Sequence, residues 1–176
     1  HFAALSYGVF GYLAGLWLLL AEPVGLNLLG TLLLAHALVI AAYLIHECAH
    51  NTVFASPRHN AGLGEALGFL VGAAYGDYAD IRHKHLRHHT DRADVVAFDF
   101  RTRLLCRPWL LKTVQALEWA WIPAVDLLMH GLVLLLPFRH AERRQLRGRV
   151  LGVLAVRGAL FIVLGLVSVK ALLLYA

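Results

Sequence analysis

The amino-acid sequence predicts an all-α integral membrane protein: a transmembrane helical bundle with histidine-rich helices at its cytoplasmic face. Three observations carry this. The 176 residues are 60% hydrophobic with a mean hydropathy of +0.66, whereas a soluble domain is about 45–50% apolar. The apolar residues fall in long uncharged runs, as helices crossing hydrocarbon require. Arginine and lysine are absent before Arg58 and then gather in "RHKHLRHHTDR", "RTRLLCR" and "RHAERRQLRGR". Basic loops mark the cytoplasmic side of a membrane protein.

Residues 2–21, "FAALSYGVFGYLAGLWLLLA", make the first span, because crossing about 30 Å of hydrocarbon takes roughly 20 apolar residues in a helix. "EPVGLN" breaks the pattern without a basic residue and reads as a short external turn. A second span over about 28–45 runs back and leads directly into "HECAH". His46 and His50 are therefore expected where the helix leaves the membrane on the basic side. Residues 61–76, "AGLGEALGFLVGAAYG", are apolar but short and glycine-rich, with Glu65 inside. A re-entrant or interfacial helix fits them better than a crossing.

Residues 77–108 are polar and hold the densest histidines. Trp109, Trp119 and Trp121 mark a stretch lying at the interface, where amphipathic rings settle. From 119 to 137 the chain either crosses or hugs the surface, and Asp126 and His130 weigh against a crossing. Residues 150–176 begin another span, with Arg157 and Lys170 placed near its two ends to snorkel. The chain reads as a single membrane domain over 1–176 without internal repeats. It also reads as a piece of a longer protein: it opens on His1 without a methionine and stops inside the apolar "ALLLYA", and its opening lacks the basic region of a signal peptide.

The net charge is +5 and the isoelectric point near 9.6. In a soluble protein such a balance suggests nucleic acid. In a membrane chain the same loops meet anionic lipid headgroups, so the bilayer is the expected partner and nucleic acid is not. Cys48 and Cys106 lie in or beside the cytoplasmic segments, a reducing compartment where a structural disulfide is not expected.

Of eleven histidines, His1, His36, His59, His130 and His140 are scattered. The other six form two clusters: His46 and His50, then His83, His85, His88 and His89 in "RHKHLRHH". Helix geometry places residues at i, i+3 and i+4 on one face, so His46 faces with His50, and His85 with His88 and His89. Neutral imidazole is the commonest protein ligand for divalent transition metals. Five such rings exceed the needs of one tetrahedral zinc and suit two metals. A lipid-binding basic patch accounts for the arginines and lysines but has no need of histidine at these spacings.

"HECAH" followed by "HLRHH" resembles the first two histidine boxes of the membrane-bound fatty acid desaturase and hydroxylase superfamily. "HECAHNTVF" after a long apolar run, a short apolar segment and then "HLRHHTDRAD" repeat that family's layout over about residues 25–100. The resemblance implies that His46, His50, His85, His88 and His89 are ligands of two iron ions. His83 lies outside the H-x-x-HH pattern. Glu47, Asp91 and Asp94 are candidates to orient ligand imidazoles through their second nitrogens. The resemblance further implies an O2-dependent oxidoreductase acting on fatty acyl chains, by desaturation or hydroxylation. It implies electrons from a ferredoxin-type or cytochrome-type carrier and histidine boxes on the cytoplasmic side. The family's third histidine box is absent from these residues and is expected beyond Ala176.

Two other readings remain open at this point. "HECAH" also fits the His-Glu-x-x-His helix of a zinc metalloprotease, with His46 and His50 as ligands and Glu47 as general base. That reading leaves "HKHLRHH" without a role. The third is a non-catalytic membrane protein keeping remnants of the boxes.

Overall fold

The computed structural model describes residues 1–71, 78–91 and 100–176. Among them helices joined by short turns and loops make up the chain, without a strand. The elements are α1 (Phe2–Leu19), α2 (Val24–Ala49), α3 (Pro57–Val71), α4 (Tyr78–Asp91), α5 (Phe100–Leu105), α6 (Pro108–Trp119), α7 (Ala124–Arg139), a 3-10 turn (Ala141–Leu146), α8 (Arg147–Val167) and α9 (Val169–Tyr175).

Three stretches of the described residues are long and apolar enough to cross a membrane: Phe2–Leu19, Val24–Ala49 and Ala141–Val167. Phe10, Leu13, Trp17, Leu28, Leu32 and Val39 face outward on the first two, the apolar surface that a helix presents to lipid. The second is longer than the sequence reading gave. Its 26 residues rise about 39 Å at 1.5 Å per residue, against about 30 Å of hydrocarbon. The helix is therefore about 9 Å longer than that core, enough for its last turn, with His46 and the capping His50, to stand outside it.

α1 and α2 form an antiparallel hairpin packed through glycine. A Cβ on Gly15 would stand 2.6 Å from Leu34 Cγ and 3.0 Å from the Gly30 carbonyl oxygen. A Cβ on Gly30 would come within 2.8 Å of Leu18 Cβ. In lipid such close backbone approach is a main source of helix association, since hydrocarbon offers no hydrophobic drive. The buried Asn27 closes the connecting turn, its Nδ2 within 2.8–3.2 Å of the carbonyl oxygens of Leu18, Leu19 and Ala21. These carbonyls lie at and just past the end of α1, where intrahelical partners run out.

The expected single span over 150–176 is two helices. Ser168 leaves helical geometry (φ −159°, ψ 112°) and caps α9, its hydroxyl oxygen accepting from the Ala171 amide at 3.1 Å. α9 then packs beside the hairpin: Ala171 is buried against Leu19 and Leu34, and Lys170 Nζ donates to the Ala21 carbonyl at 2.8 Å. Arg157 sits in the middle of α8 rather than at a span's end, so its charge is not explained by snorkelling. Its Nη2 donates to the Leu70 carbonyl at 2.9 Å and the Phe69 carbonyl at 3.3 Å, capping α3 where water is scarce.

α3 begins earlier than expected, at Pro57, and residues 72–76 of the predicted 61–76 segment lie outside the described residues. Its 15 described residues are too few to cross, in line with the sequence reading. α7 has 16 residues, and its apolar stretch is His130–Arg139, again short of a crossing. Leu104, Val114 and Ala124 bury a small separate core joining α5, α6 and α7. Trp109, Trp119 and Trp121 are largely exposed around it.

Candidate metal centre

The end of α2 is fixed first by its backbone. Asn51 takes a left-handed conformation (φ 57°), which asparagine tolerates better than most side chains. Its amide donates to the Cys48 carbonyl at 3.0 Å, and the Thr52 amide to the Glu47 carbonyl at 3.1 Å. These paired bonds are a Schellman ending. The following loop is held by the fully buried Asn60, whose Oδ1 accepts from the Phe54 amide at 3.1 Å and whose Nδ2 donates to the carbonyls of Phe54 and Ser56 at 2.7 and 2.9 Å. His46 and His50 thus stand on a helix terminus that is tied down on both sides.

α4 is brought to that terminus by one of its faces. Tyr78, Arg82, His85 and His89 follow the i, i+4, i+7, i+11 spacing of a single helical stripe. Tyr78 is buried in the core formed by Ala41, Leu44, Cys48, Val53 and Leu67. Gly64 makes room for its ring, since a Cβ there would collide with it. One turn on, Arg82 Nε donates to the Ala49 carbonyl at 2.9 Å, another orphan acceptor at the end of α2. The next two turns deliver His85 and His89 against His46 and His50.

The four imidazoles converge. His85 Nε2 lies 2.9 Å from His50 Nε2 and 3.1 Å from His89 Nε2. The His46 ring centroid is 4.4 Å from that of His85 and 4.8 Å from that of His50. One nitrogen from each of the four lies within 4.8 Å of the others. Nitrogens about 3 Å apart match two adjacent positions on a transition metal with bonds of about 2.0–2.1 Å, so the donor set fits a metal ion. His46, His50 and His85 are half-buried and His89 exposed, which leaves the cluster open on one side. Burial first, then the proximity of His46, His89, His50 and His88, holds the His85 imidazole below the usual histidine value. It favours the neutral form that a metal takes up.

The remaining predicted residues are placed as follows. His88, next to His89 with ring centroids 5.9 Å apart, is exposed and is not among the four gathered nitrogens. His83 projects about 200° around α4 from His85 and is also exposed. Glu47 Oε1 lies 3.2 Å from His46 Nδ1, which leaves Nε2 of that ring for the cluster. Asp94 and the side chain of Asp91 lie outside the described residues. Sequence reasoning missed Thr52, whose hydroxyl stands 2.7 Å from Glu47 Oε2, and Arg82, which joins the two clusters. The stripe from Tyr78 to His89 was the available signal for Arg82.

The family model described as fatty acid desaturase matches residues 23–176, taking in both histidine clusters and every helix from α2 onward. No curated protein and no solved structure matches the chain.

Proposed function

This chain belongs to the fatty acid desaturase family, and we propose that it is a membrane-bound, O2-dependent di-iron oxidoreductase that introduces a double bond into fatty acyl chains. The observation that carries the reading is the meeting of His46, His50, His85 and His89, from two separate helices, at the membrane-exit end of α2. With His88 alongside, five imidazoles exceed what one ion with open positions takes, which supports a pair of ions held by His46, His50, His85, His88 and His89. Reduced iron with dioxygen supplies an oxidant strong enough for an unactivated C–H bond.

The chain's own residues supply placement. Glu47 keeps His46 turned so that Nε2 faces the cluster. A shallow apolar groove of about 290 Å³, lined by Val39, Ala42 and Tyr43 of α2, ends at His46. An acyl chain lying along α2 in that groove reaches the histidines without leaving apolar surroundings. Removal of two hydrogens from adjacent carbons gives the double bond; return of oxygen to carbon would give an alcohol instead. The basic segments around the site suit the cytoplasmic leaflet and an acidic electron carrier of ferredoxin or cytochrome type.

The zinc-protease reading needs the Glu47 carboxylate to activate water. Here that carboxylate is engaged by Thr52 and His46, and the second cluster would have no task. The test is made on the full-length protein in membranes, with an acyl substrate and a reductant. Expected are bound iron and a product two hydrogens lighter that forms only with O2. Zinc in place of iron, with no O2-dependent product, overturns the proposal.

A further inference from the structure

We propose that Thr52 is a positioning residue for the metal centre, acting through Glu47 on His46. The proposal rests on the metal-site reading above and deepens it. Glu47 is about one-third exposed, and a carboxylate that free would ordinarily turn to water. Thr52 prevents this. Its Oγ1 lies 2.7 Å from Glu47 Oε2 and 2.9 Å from the Glu47 carbonyl oxygen. With Oε2 held, Oε1 is left 3.2 Å from His46 Nδ1. An acceptor there keeps the proton on Nδ1 and the Nε2 lone pair toward the other three imidazoles. His1 Nε2, at 4.0 Å from Oε2, is beyond hydrogen-bond reach.

Thr52 can reach back only because the chain reverses one residue after His50. Asn51 is left-handed, and the Thr52 amide donates to the Glu47 carbonyl at 3.1 Å. The bond that ends α2 and the bond that orients a ligand therefore come from the same residue. A threonine two positions after the second histidine is, in this chain, part of the metal site without touching metal.

The test uses the full-length protein in detergent, with Co²⁺ as the metal probe read by its absorption bands. Thr52→Val keeps the shape and removes the hydroxyl; it should weaken Co²⁺ binding about tenfold, the lower end for loss of a partner behind a ligand, and shift the bands. Thr52→Ser should restore both. Asn51→Ala strains the turn but leaves the hydroxyl, and should lower the melting temperature with a smaller effect on the bands. Wild-type affinity and spectrum in Thr52→Val, with His46→Ala weakened, overturns the positioning role alone. So does a Thr52→Ser variant that behaves as Thr52→Val. Failure of the wild type to bind Co²⁺, or binding unaffected by His46→Ala, overturns the metal-site reading with it.

Discussion

The Arg82 guanidinium and the Ala49 carbonyl tie the two histidine clusters together: Nε donates across 2.9 Å from α4 to the end of α2. The bond is a charge-assisted one to a carbonyl that its own helix leaves unpaired. It sets the height of α4 against α2, and so decides whether His85 and His89 meet His46 and His50.

Replacing Arg82 should therefore damage metal binding without removing a ligand. Arg82→Leu is expected to reduce metal affinity about tenfold, within the range for outer partners of a metal site. Arg82→Lys, with a point charge on a different stem, should recover part of it. Equilibrium dialysis against Fe²⁺ under anaerobic conditions measures this. Unchanged affinity in Arg82→Leu counts against the link.

Single alanine substitutions should rank the histidines. In the full-length protein, His85→Ala, His88→Ala and His89→Ala should each abolish O2-dependent product while membrane insertion persists. His85, within reach of two other ring nitrogens, should cost more bound metal than His88. His36, hydrogen-bonded to Tyr7 at 2.6 Å, and His140, beside Glu142, should tolerate alanine with near-normal turnover. Retained product in all three of the first set would sink the ligand assignment.

The hairpin of α1 and α2 should reject even a methyl group at its crossing. Gly15→Ala drives a Cβ into Leu34 and the Gly30 carbonyl, and is expected to cost about 1–3 kcal/mol as overpacking. Gly8→Ala meets nothing within 4 Å and should be neutral. Thermal melting in detergent compares the two, and equal melting temperatures would contradict the crossing.

Acid should loosen the metal-free protein through His85. Its imidazole titrates lower in the fold than in the unfolded chain, where the value is about 6.5. The unfolded chain then binds more protons as pH falls below about 6.5, so folded stability drops there and is level above it. The melting temperature of the metal-free protein should fall on acidification below about pH 6.5. Replacing His85 with Gln should flatten that fall. A melting temperature that rises with acid would refute the sign.

Much of this architecture was legible because hydrophobic length and charge asymmetry report directly on lipid. α1, α2 and the short α3 follow from run length alone, and the i, i+3 and i+4 spacing put the histidines on shared faces. The break at Ser168 was not legible, since a serine inside an apolar run is equally compatible with a continuing helix, and what turns α9 aside is contact with the α1–α2 hairpin. Ala21, far back in the chain, takes the Lys170 side chain. Arg157 was misread for the same reason: its acceptors, Phe69 and Leu70, belong to a helix whose packing the sequence does not announce. Thr52 depends on a left-handed turn at Asn51, a local conformation that "HNT" permits but does not require.

α2 is both a membrane-crossing rod and the mount for His46 and His50. Its apolar length is set against the thickness of the bilayer, and a helix too long for its surroundings answers by tilting. Because Arg82 and the buried Tyr78 fasten α4 to α2, a change of tilt carries both histidine clusters together and is felt first at the polar face where α4 meets the headgroups. The thickness of the surrounding membrane thereby sets the depth at which the four rings sit, rather than their spacing from one another.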